Sequence, residues 1–130
     1  MFLWHWDGCS SYRKLSFREM IEILESIPNS FKNRKYLITH LIPEVTFEGN
    51  DKKPDFGKVT IKYIANDKLI ELKSLKYYFY QYRNKIYSYE RFINTIYDDL
   101  KNVYSPYYLC VTLETNPRGG ISSILEVKDE

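Results

Sequence analysis

The sequence predicts an α+β fold in which a four-stranded antiparallel sheet carries two helices on one face, preceded by an N-terminal helix. The predicted elements follow one another as helix, strand, strand, helix, helix, strand, strand, and strands joined by short turns pair as hairpins. Residues 89–104 repeat apolar side chains at helical spacing, whereas residues 57–65 alternate them as a strand does. At 130 residues the chain fits one domain.

The N-terminal region is predicted to be an irregular arm followed by a helix. Ser16 and Glu19 form a Ser-x-x-Glu capping box, which satisfies two backbone donors at a helix start. Pro28 ends this helix, because proline cannot continue the backbone hydrogen bonding. We therefore assign residues 1–34 to the arm and helix and residues 35–130 to a single domain.

The domain is predicted to place its two helices between two strand pairs. Its predicted strands are residues 35–46, 57–65, 107–115 and 121–127. Its first helix runs from Glu71 to Arg83, and its second begins after Ser88 and ends at Pro106. The second helix has the most regular amphipathic pattern of the chain, formed by Tyr89, Phe92, Ile93, Ile96, Tyr97, Leu100, Val103 and Tyr104.

A single sheet of this kind leaves two edge strands unpaired, and unpaired edges invite association. Closing several copies of the chain into a barrel would remove these edges. The sequence therefore predicts a homo-oligomer.

Composition excludes several classes of protein. The net charge of +2 is too balanced for a protein that binds nucleic acid directly or lies on a membrane surface. No apolar run approaches the roughly 18 residues that span a bilayer. Cys9 and Cys110 fit no metal-binding spacing, and His5 and His40 add no pattern that predicts a metal site. We expect a cytoplasmic protein without a metal.

Four stretches, in register along the chain, resemble the 7-cyano-7-deazaguanine reductases. The longest is Glu71-Leu72-Lys73-Ser74-Leu75-Lys76-Tyr77-Tyr78, with Tyr82-Arg83-Asn84 after it. The others are Leu24-Glu25-Ser26-Ile27-Pro28-Asn29, Pro43-Glu44-Val45-Thr46 with Pro54-Asp55-Phe56, and Pro117-Arg118-Gly119-Gly120-Ile121. The resemblance implies a tunnelling fold, assembled as an oligomeric barrel with active sites between subunits.

The resemblance also implies roles for particular residues. Glu90 occupies the place of the carboxylate that anchors the purine-like ring, and two donors on such a ring suit one carboxylate. Without the resemblance, Glu90 would be an ordinary acidic residue in the first turn of a helix. Other implied substrate-binding positions are Glu71, Leu72, Ser74 and Tyr89, the last where the family has a histidine.

The same resemblance assigns an acid and three cations. Asp55 matches the proton-transfer acid of the family. Lys73, Lys76 and Arg118 fall where the family meets its NADPH phosphates, although each also reads as a solvated cation.

The catalytic cysteine of the family is missing. In the family this thiolate adds to the nitrile, and its position falls near Gly49, where residues 47–53 contain no Cys, Ser or Thr. The neighbouring carboxylates Glu48 and Asp51 are weak nucleophiles towards a nitrile. Cys110 reads as a buried strand residue, and Cys9 lies in the arm.

Three functions follow. The favoured one is cofactor-independent decarboxylation of 7-carboxy-7-deazaguanine to 7-deazaguanine, with Asp55 protonating C7 from a raised pKa. The alternatives are an NADPH-dependent nitrile reductase whose thiol comes from elsewhere in the chain, and a non-catalytic subunit that binds a deazapurine or pterin-like ring.

Overall fold

The computed structural model describes residues 17–48 and 54–130, with side chains from residue 20 onward. The helices are α1 (Phe17–Ile23), α2 (Leu72–Tyr80) and α3 (Tyr89–Tyr104), with a 3₁₀ helix (Gln81–Asn84) after α2. The strands are β1 (Ser26–Pro28), β2 (Leu37–Glu48), β3 (Pro54–Ile64), β4 (Lys68–Ile70), β5 (Tyr108–Thr115) and β6 (Ile124–Lys128).

The predicted fold class is confirmed. A four-stranded antiparallel sheet has the order β2-β3-β5-β6, so β2 and β6 are its edges within the chain. Alternate residues of β3 are buried against the helices, among them Val59, Ile61 and Tyr63. Phe92 and Ile96 of α3 belong to the same core, which the sheet and the helices close together.

The prediction of a helix reaching Pro28 is wrong. The helix ends at Ile23, and Ser26–Pro28 forms a short strand paired with β4. The backbone of Glu25 accepts from Glu71 N–H and from the Tyr104 hydroxyl, and these contacts hold the chain extended there. Long-range hydrogen bonds therefore override the local helical pattern. The N-cap position Ser16 lies outside the described residues.

Two boundaries around the sheet also differ from the prediction. Strand β3 begins at Pro54 rather than at residue 57, and β2 continues to Glu48 across a register shift between Ile42 and Val45. Proline is tolerated as the first residue of a strand, because its missing N–H breaks no interior ladder bond. The consequence is functional: Asp55 belongs to a strand and not to a loop.

The first helix of the domain is divided. Its α-helical part ends at Tyr80 and a 3₁₀ helix continues it to Asn84. Helix α3 agrees closely with the prediction, since the Ser88 hydroxyl accepts from Arg91 N–H and caps its start. At the N-terminal side, Met20 and Ile23 of α1 pack into the same core as the sheet.

Candidate functional site

Asp55 lies at the end of the sheet, on the face covered by the helices. It is paired in register with Phe47 of β2, and residues directly opposite each other project to the same face. Its side chain is only 5% exposed. A carboxylate this deeply buried requires a partner.

That partner is Arg118. Its Nη1 lies 2.6 Å from Oδ1 of Asp55, although the two residues are 63 positions apart in sequence. The arginine side chain is 42% exposed, so the pair joins a buried carboxylate to a guanidinium that reaches solvent. A guanidinium at this distance favours the charged carboxylate. The site therefore holds Asp55 as the acceptor of an ion pair, and its role as the acid predicted from the sequence stays a prediction.

A tight turn holds Arg118 in place. Arg118 and Ile121 exchange both backbone hydrogen bonds, and the two residues between them, Gly119 and Gly120, have φ values of 59° and 82°. A two-residue hairpin turn with both central residues at positive φ is type I′, which favours glycine. The Arg-Gly-Gly stretch thus fixes the backbone from which the guanidinium reaches Asp55.

A second glycine brings the strands together beside Asp55. Gly57 pairs with Thr115, and a Cβ at Gly57 would lie 2.8 Å from the carbonyl oxygen of Glu114. Strand β5 therefore passes too close to β3 for any side chain at this position. The turn that carries Arg118 follows directly after β5.

The start of α3 meets the same end of the sheet. The ring of Phe47 stacks on Phe92 with centroids 4.3 Å apart, and the Tyr89 ring contacts it edge-on at 6.0 Å. The predicted ligand residue Tyr89 is therefore close to the position opposite Asp55. Glu90, in the first turn of α3, is exposed.

The end of β2 is tied to the segment before α3. The backbone N–H of Glu48 donates to Lys85, and its carbonyl accepts from Tyr87 N–H. Glu48 therefore stands at the rim of this site. Gly49 and Asp51, the other residues predicted near the missing nucleophile, lie outside the described residues.

Glu71 and Ser74 have structural partners. The carboxylate of Glu71 accepts from the backbone N–H groups of Lys73 and Ser74 and caps α2. The Ser74 hydroxyl, 1% exposed, donates to the Glu71 carbonyl and accepts from Glu25 N–H. These contacts explain both residues without a ligand, and sequence reasoning did not predict the cap.

A groove of about 520 Å³ separates β2 from α2. Its helix side carries Leu72, Lys76 and Phe79, together with two residues that the sequence analysis did not assign to a site, Tyr80 and Arg83. The Lys76 ammonium and the Arg83 guanidinium lie 5.7 and 4.8 Å from the centroid of the Tyr80 ring. The spacing of these three residues, four and then three, is a signal that could have been found in the sequence.

The other predicted cations do not join this groove. Lys73 is exposed on α2 but does not line it, and Arg118 is engaged with Asp55. Apolar walls, an aromatic face and two cations are groups that suit a ring and a phosphate of a dinucleotide. Lys76, Tyr80 and Arg83 are therefore the residues of the described chain that could hold such a cofactor here.

Cys110 lies too far from Asp55 of the same chain to supply a thiol to a substrate bound beside that carboxylate. It pairs with Lys62, seven residues beyond Asp55 on β3, which corresponds to about 24 Å along the strand. Its Sγ lies 3.5 Å from a carboxylate oxygen of Glu126. Cys9 and His5 lie outside the described residues.

Two further observations concern the described ranges alone. Residues 17–48 and 54–130 contain no group of three or more His, Cys, Asp or Glu side chains arranged to hold a metal ion. No helix within them is long and apolar enough to cross a membrane.

The chain is similar to curated reductases over most of its length. It is 41% identical over 111 residues to the NADPH-dependent 7-cyano-7-deazaguanine reductase of Chlorobium chlorochromatii, which covers 82% of this chain and 93% of the relative. The enzyme of the same name from Chlorobium luteolum is 44% identical over 107 residues, covering 82% of this chain and 92% of the relative.

These relatives correct one prediction. The favoured hypothesis required no cofactor, but the relatives are NADPH-dependent enzymes. The prediction of a cofactor-independent enzyme is therefore wrong.

Structure and family comparisons agree with the fold. The apo archaeosine synthase QueF-Like superposes with a TM-score of 0.67 at 17% identity, covering 71% of this chain and 91% of the other, which supports the fold alone. The family model described as QueF-like protein matches residues 54–130, a range that contains Asp55, α2, α3 and Arg118. The chain belongs to the QueF-like family.

Proposed function

We propose that this protein binds a 7-deazaguanine base and reduces its C7 nitrile in an NADPH-dependent reaction. The observation that carries the proposal is the 41% identity to a curated reductase over 93% of that relative. Asp55 and Arg118 support the proposal, since they pair a buried carboxylate with a partly exposed guanidinium at one end of the sheet.

Protons would come from Asp55. Conversion of a nitrile to an aminomethyl group takes up two hydrides at carbon and two protons at nitrogen, and NADPH supplies the hydrides. Asp55 would first have to separate from Arg118 and take up a proton, because a carboxylate paired with a guanidinium has no proton to donate. Positioned proton donors of this kind contribute about 10²- to 10⁴-fold to rate.

The base would be held beside α3. Glu90 is exposed in the first turn of that helix and is free to accept two donors of the ring, with Tyr89 beside it. We infer a lesser role for Leu72, which is 55% exposed at the mouth of the groove. Glu71 and Ser74 are engaged with backbone groups, so we expect them to shape the site rather than to bind.

A second candidate is decarboxylation of 7-carboxy-7-deazaguanine. It is favoured by one specific observation: residues 47–53 contain no Cys, Ser or Thr, and Cys110 is about 24 Å along the sheet from Asp55. A proton added to C7 would let the bond to the carboxyl carbon break, with its electron pair returning to the ring and carbon dioxide leaving. Arg118 would offer a guanidinium to the substrate carboxylate.

One assay separates the candidates. The purified protein is given 7-cyano- or 7-carboxy-7-deazaguanine labelled at the C7 substituent, each with and without NADPH. Oxidation of two NADPH per nitrile, with formation of the aminomethyl base, supports the reductase. Release of labelled carbon dioxide instead supports the lyase and would overturn the first proposal. Binding of either base without turnover would indicate the non-catalytic subunit.

If the nitrile is reduced, a Cys9→Ser variant tests the displaced thiol. Within one chain the distance to Asp55 argues against Cys110, so Cys9 is the first cysteine to test, and Cys110→Ser is the matched control. Loss of reduction in the Cys9 variant alone would assign the thiol, whereas full activity in both would mean that hydride reaches the nitrile without a thioimide.

We also propose that the chain works as a homo-oligomer with its sites between subunits. The edge strands β2 and β6 expose Leu41 and Ile124, which are 66% and 70% exposed in the single chain. Large apolar side chains on an unpaired edge favour pairing with another copy. Light scattering after size-exclusion chromatography should show a mass that is a multiple of 15.7 kDa, and a monomer would contradict the proposal.

A further inference from the structure

The groove between β2 and α2 has the size and lining of a small-molecule site. Its volume of about 520 Å³ lies within the range of roughly 300 to 1,000 Å³ usual for such sites. Leu75 and Phe79 provide an apolar wall on the helix side, and residues 39–46 of β2 provide the opposite wall. The groove therefore offers mostly apolar walls to a ring.

Charge is concentrated at one rim of this groove. Lys76, Tyr80 and Arg83 follow one another at spacings of four and three residues, so the ammonium, the ring and the guanidinium share one side of the helix. Glu44 on the β2 wall offsets one of the two cations. His40 adds no charge at neutral pH, because burial lowers its pKa. The rim has a net positive charge of one.

We propose that Arg83 and Tyr80 form the subsite for the adenosine end of NADPH, with Arg83 selecting the 2′-phosphate. This inference rests on the proposed NADPH dependence. Adenine would stack on the Tyr80 ring, and the guanidinium 4.8 Å from that ring would reach a phosphate on the adjoining ribose. Arginine suits this task because its planar fork binds phosphate oxygens in pairs, which a lysine ammonium cannot do.

The alternative is a surface cation resting on an aromatic ring. Such contacts are common, and at exposed sites they are worth about 0.5 to 1 kcal/mol. The chain contains a matched example, because the Arg91 guanidinium lies 5.3 Å from the Tyr87 ring, on α3 and outside this groove. Arg91 is therefore the control that separates phosphate recognition from simple packing.

Calorimetric titration of NADP⁺ and NAD⁺ into the intact protein tests the inference. Arg83→Gln should weaken NADP⁺ binding by roughly 10- to 100-fold, the range expected for a hydrogen-bonded charge pair, and NAD⁺ binding by less than about threefold. Arg83→Lys should recover part of the NADP⁺ affinity, and Arg91→Gln should leave both affinities unchanged. Thermal melts would establish that each variant is folded.

Two results would overturn the inference. Equal losses of NADP⁺ and NAD⁺ affinity in Arg83→Gln would mean that the residue does not read the 2′-phosphate, and an unchanged NADP⁺ affinity would remove Arg83 from the site altogether. In both cases the wild-type protein still binds NADP⁺ and the proposed function stands. If the wild-type protein binds neither dinucleotide, the proposed NADPH dependence fails, and this inference fails with it.

Discussion

Two carboxylates lie at opposite ends of the four-stranded sheet, and their surroundings differ. Asp129, directly after β6, accepts from three donors: Lys101 Nζ at 2.5 Å, the Tyr97 hydroxyl and the backbone N–H of Leu109 at 3.1 Å. Asp55 is more deeply buried, yet the partner described for it is one guanidinium on a surface turn. Burial alone does not distinguish a structural carboxylate from a functional one.

The number and origin of the donors make the distinction. All three donors to Asp129 come from α3 and β5, so the carboxylate fastens the residues after β6 to rigid elements of the core. Arg118 belongs to a hairpin turn and is 42% exposed, so a ligand can compete for its guanidinium. We infer that Asp129 stabilises the packing of the residues after β6, whereas Asp55 can replace Arg118 with another partner.

The largest expected effect is that of Asp55→Asn on turnover. Asparagine preserves shape and can still accept from Arg118, but it cannot deliver a proton. We expect turnover of whichever C7 substrate is active to fall by about 10²- to 10⁴-fold, with the affinity for the base nearly unchanged. Asp129→Asn is the matched control and should leave turnover within about twofold. Normal turnover by Asp55→Asn would contradict the assignment of the acid.

Removing the other half of the pair should have a smaller effect. Arg118→Gln leaves a buried carboxylate without its cation, so we expect a loss of about 1 to 3 kcal/mol in the free energy of unfolding and a fall in turnover of roughly 10- to 100-fold. Urea denaturation and steady-state kinetics measure the two quantities. Arg118→Lys should restore more stability than turnover, because it keeps the charge and loses the fork. If neither quantity changes, the pair has no role.

The pair also marks where prediction from sequence stops. Both residues were identified through the resemblance, but their contact spans 63 positions and depends on how β3, β5 and the following turn come together. Pro54 reads locally as a loop residue, which hid the start of β3, and Gly57 was predicted only as the first residue of the strand. The strand start at Pro54 is evident only once β2 is paired, and the close approach at Gly57 only once β5 is paired.

Regular elements were more predictable than their contacts. The α3 pattern and its Ser88 cap follow from periodicity and capping chemistry, which are local. The groove could not be predicted from local patterns alone. The spacing of Tyr80 and Arg83 is visible in the sequence, but the β2 wall is placed opposite them only by the tertiary fold. In the same way β1 was missed, because three residues pair only when β4 is available to them.

Ser74 offers a test of whether a residue matched by resemblance is a ligand or a support. Ser74→Ala removes a buried hydroxyl that joins Glu25 N–H to the Glu71 carbonyl, and leaves that N–H unsatisfied. We expect a loss of about 1 to 3 kcal/mol in the free energy of unfolding with the affinity for the base unchanged. A loss of base affinity without a loss of stability, measured by titration and urea denaturation, would make Ser74 a ligand instead.

The smallest effect on the free energy of unfolding should come from Asp129, and this effect should depend on pH. Burial alone would raise the pKa of Asp129, but Lys101 and Tyr97 outweigh it and hold the pKa below its ordinary value. A carboxyl whose pKa is lower in the folded state stabilises the fold above its unfolded pKa of about 3.9, and loses this contribution as the pH falls through the folded value.

Asp129→Asn should therefore lower the free energy of unfolding by about 1 kcal/mol at pH 7, since Lys101 is 40% exposed and the ion pair is screened. The two urea curves should begin to converge as the pH falls below about 4, and they should coincide once the pH is below the folded pKa of Asp129. If the difference persisted at low pH, the hydrogen bonds from Tyr97 and Leu109 would outweigh the charge. Turnover should remain at the wild-type level throughout, because this end of the sheet lies about 27 Å along the strand from Asp55, judged from Tyr63 and its partner Leu109.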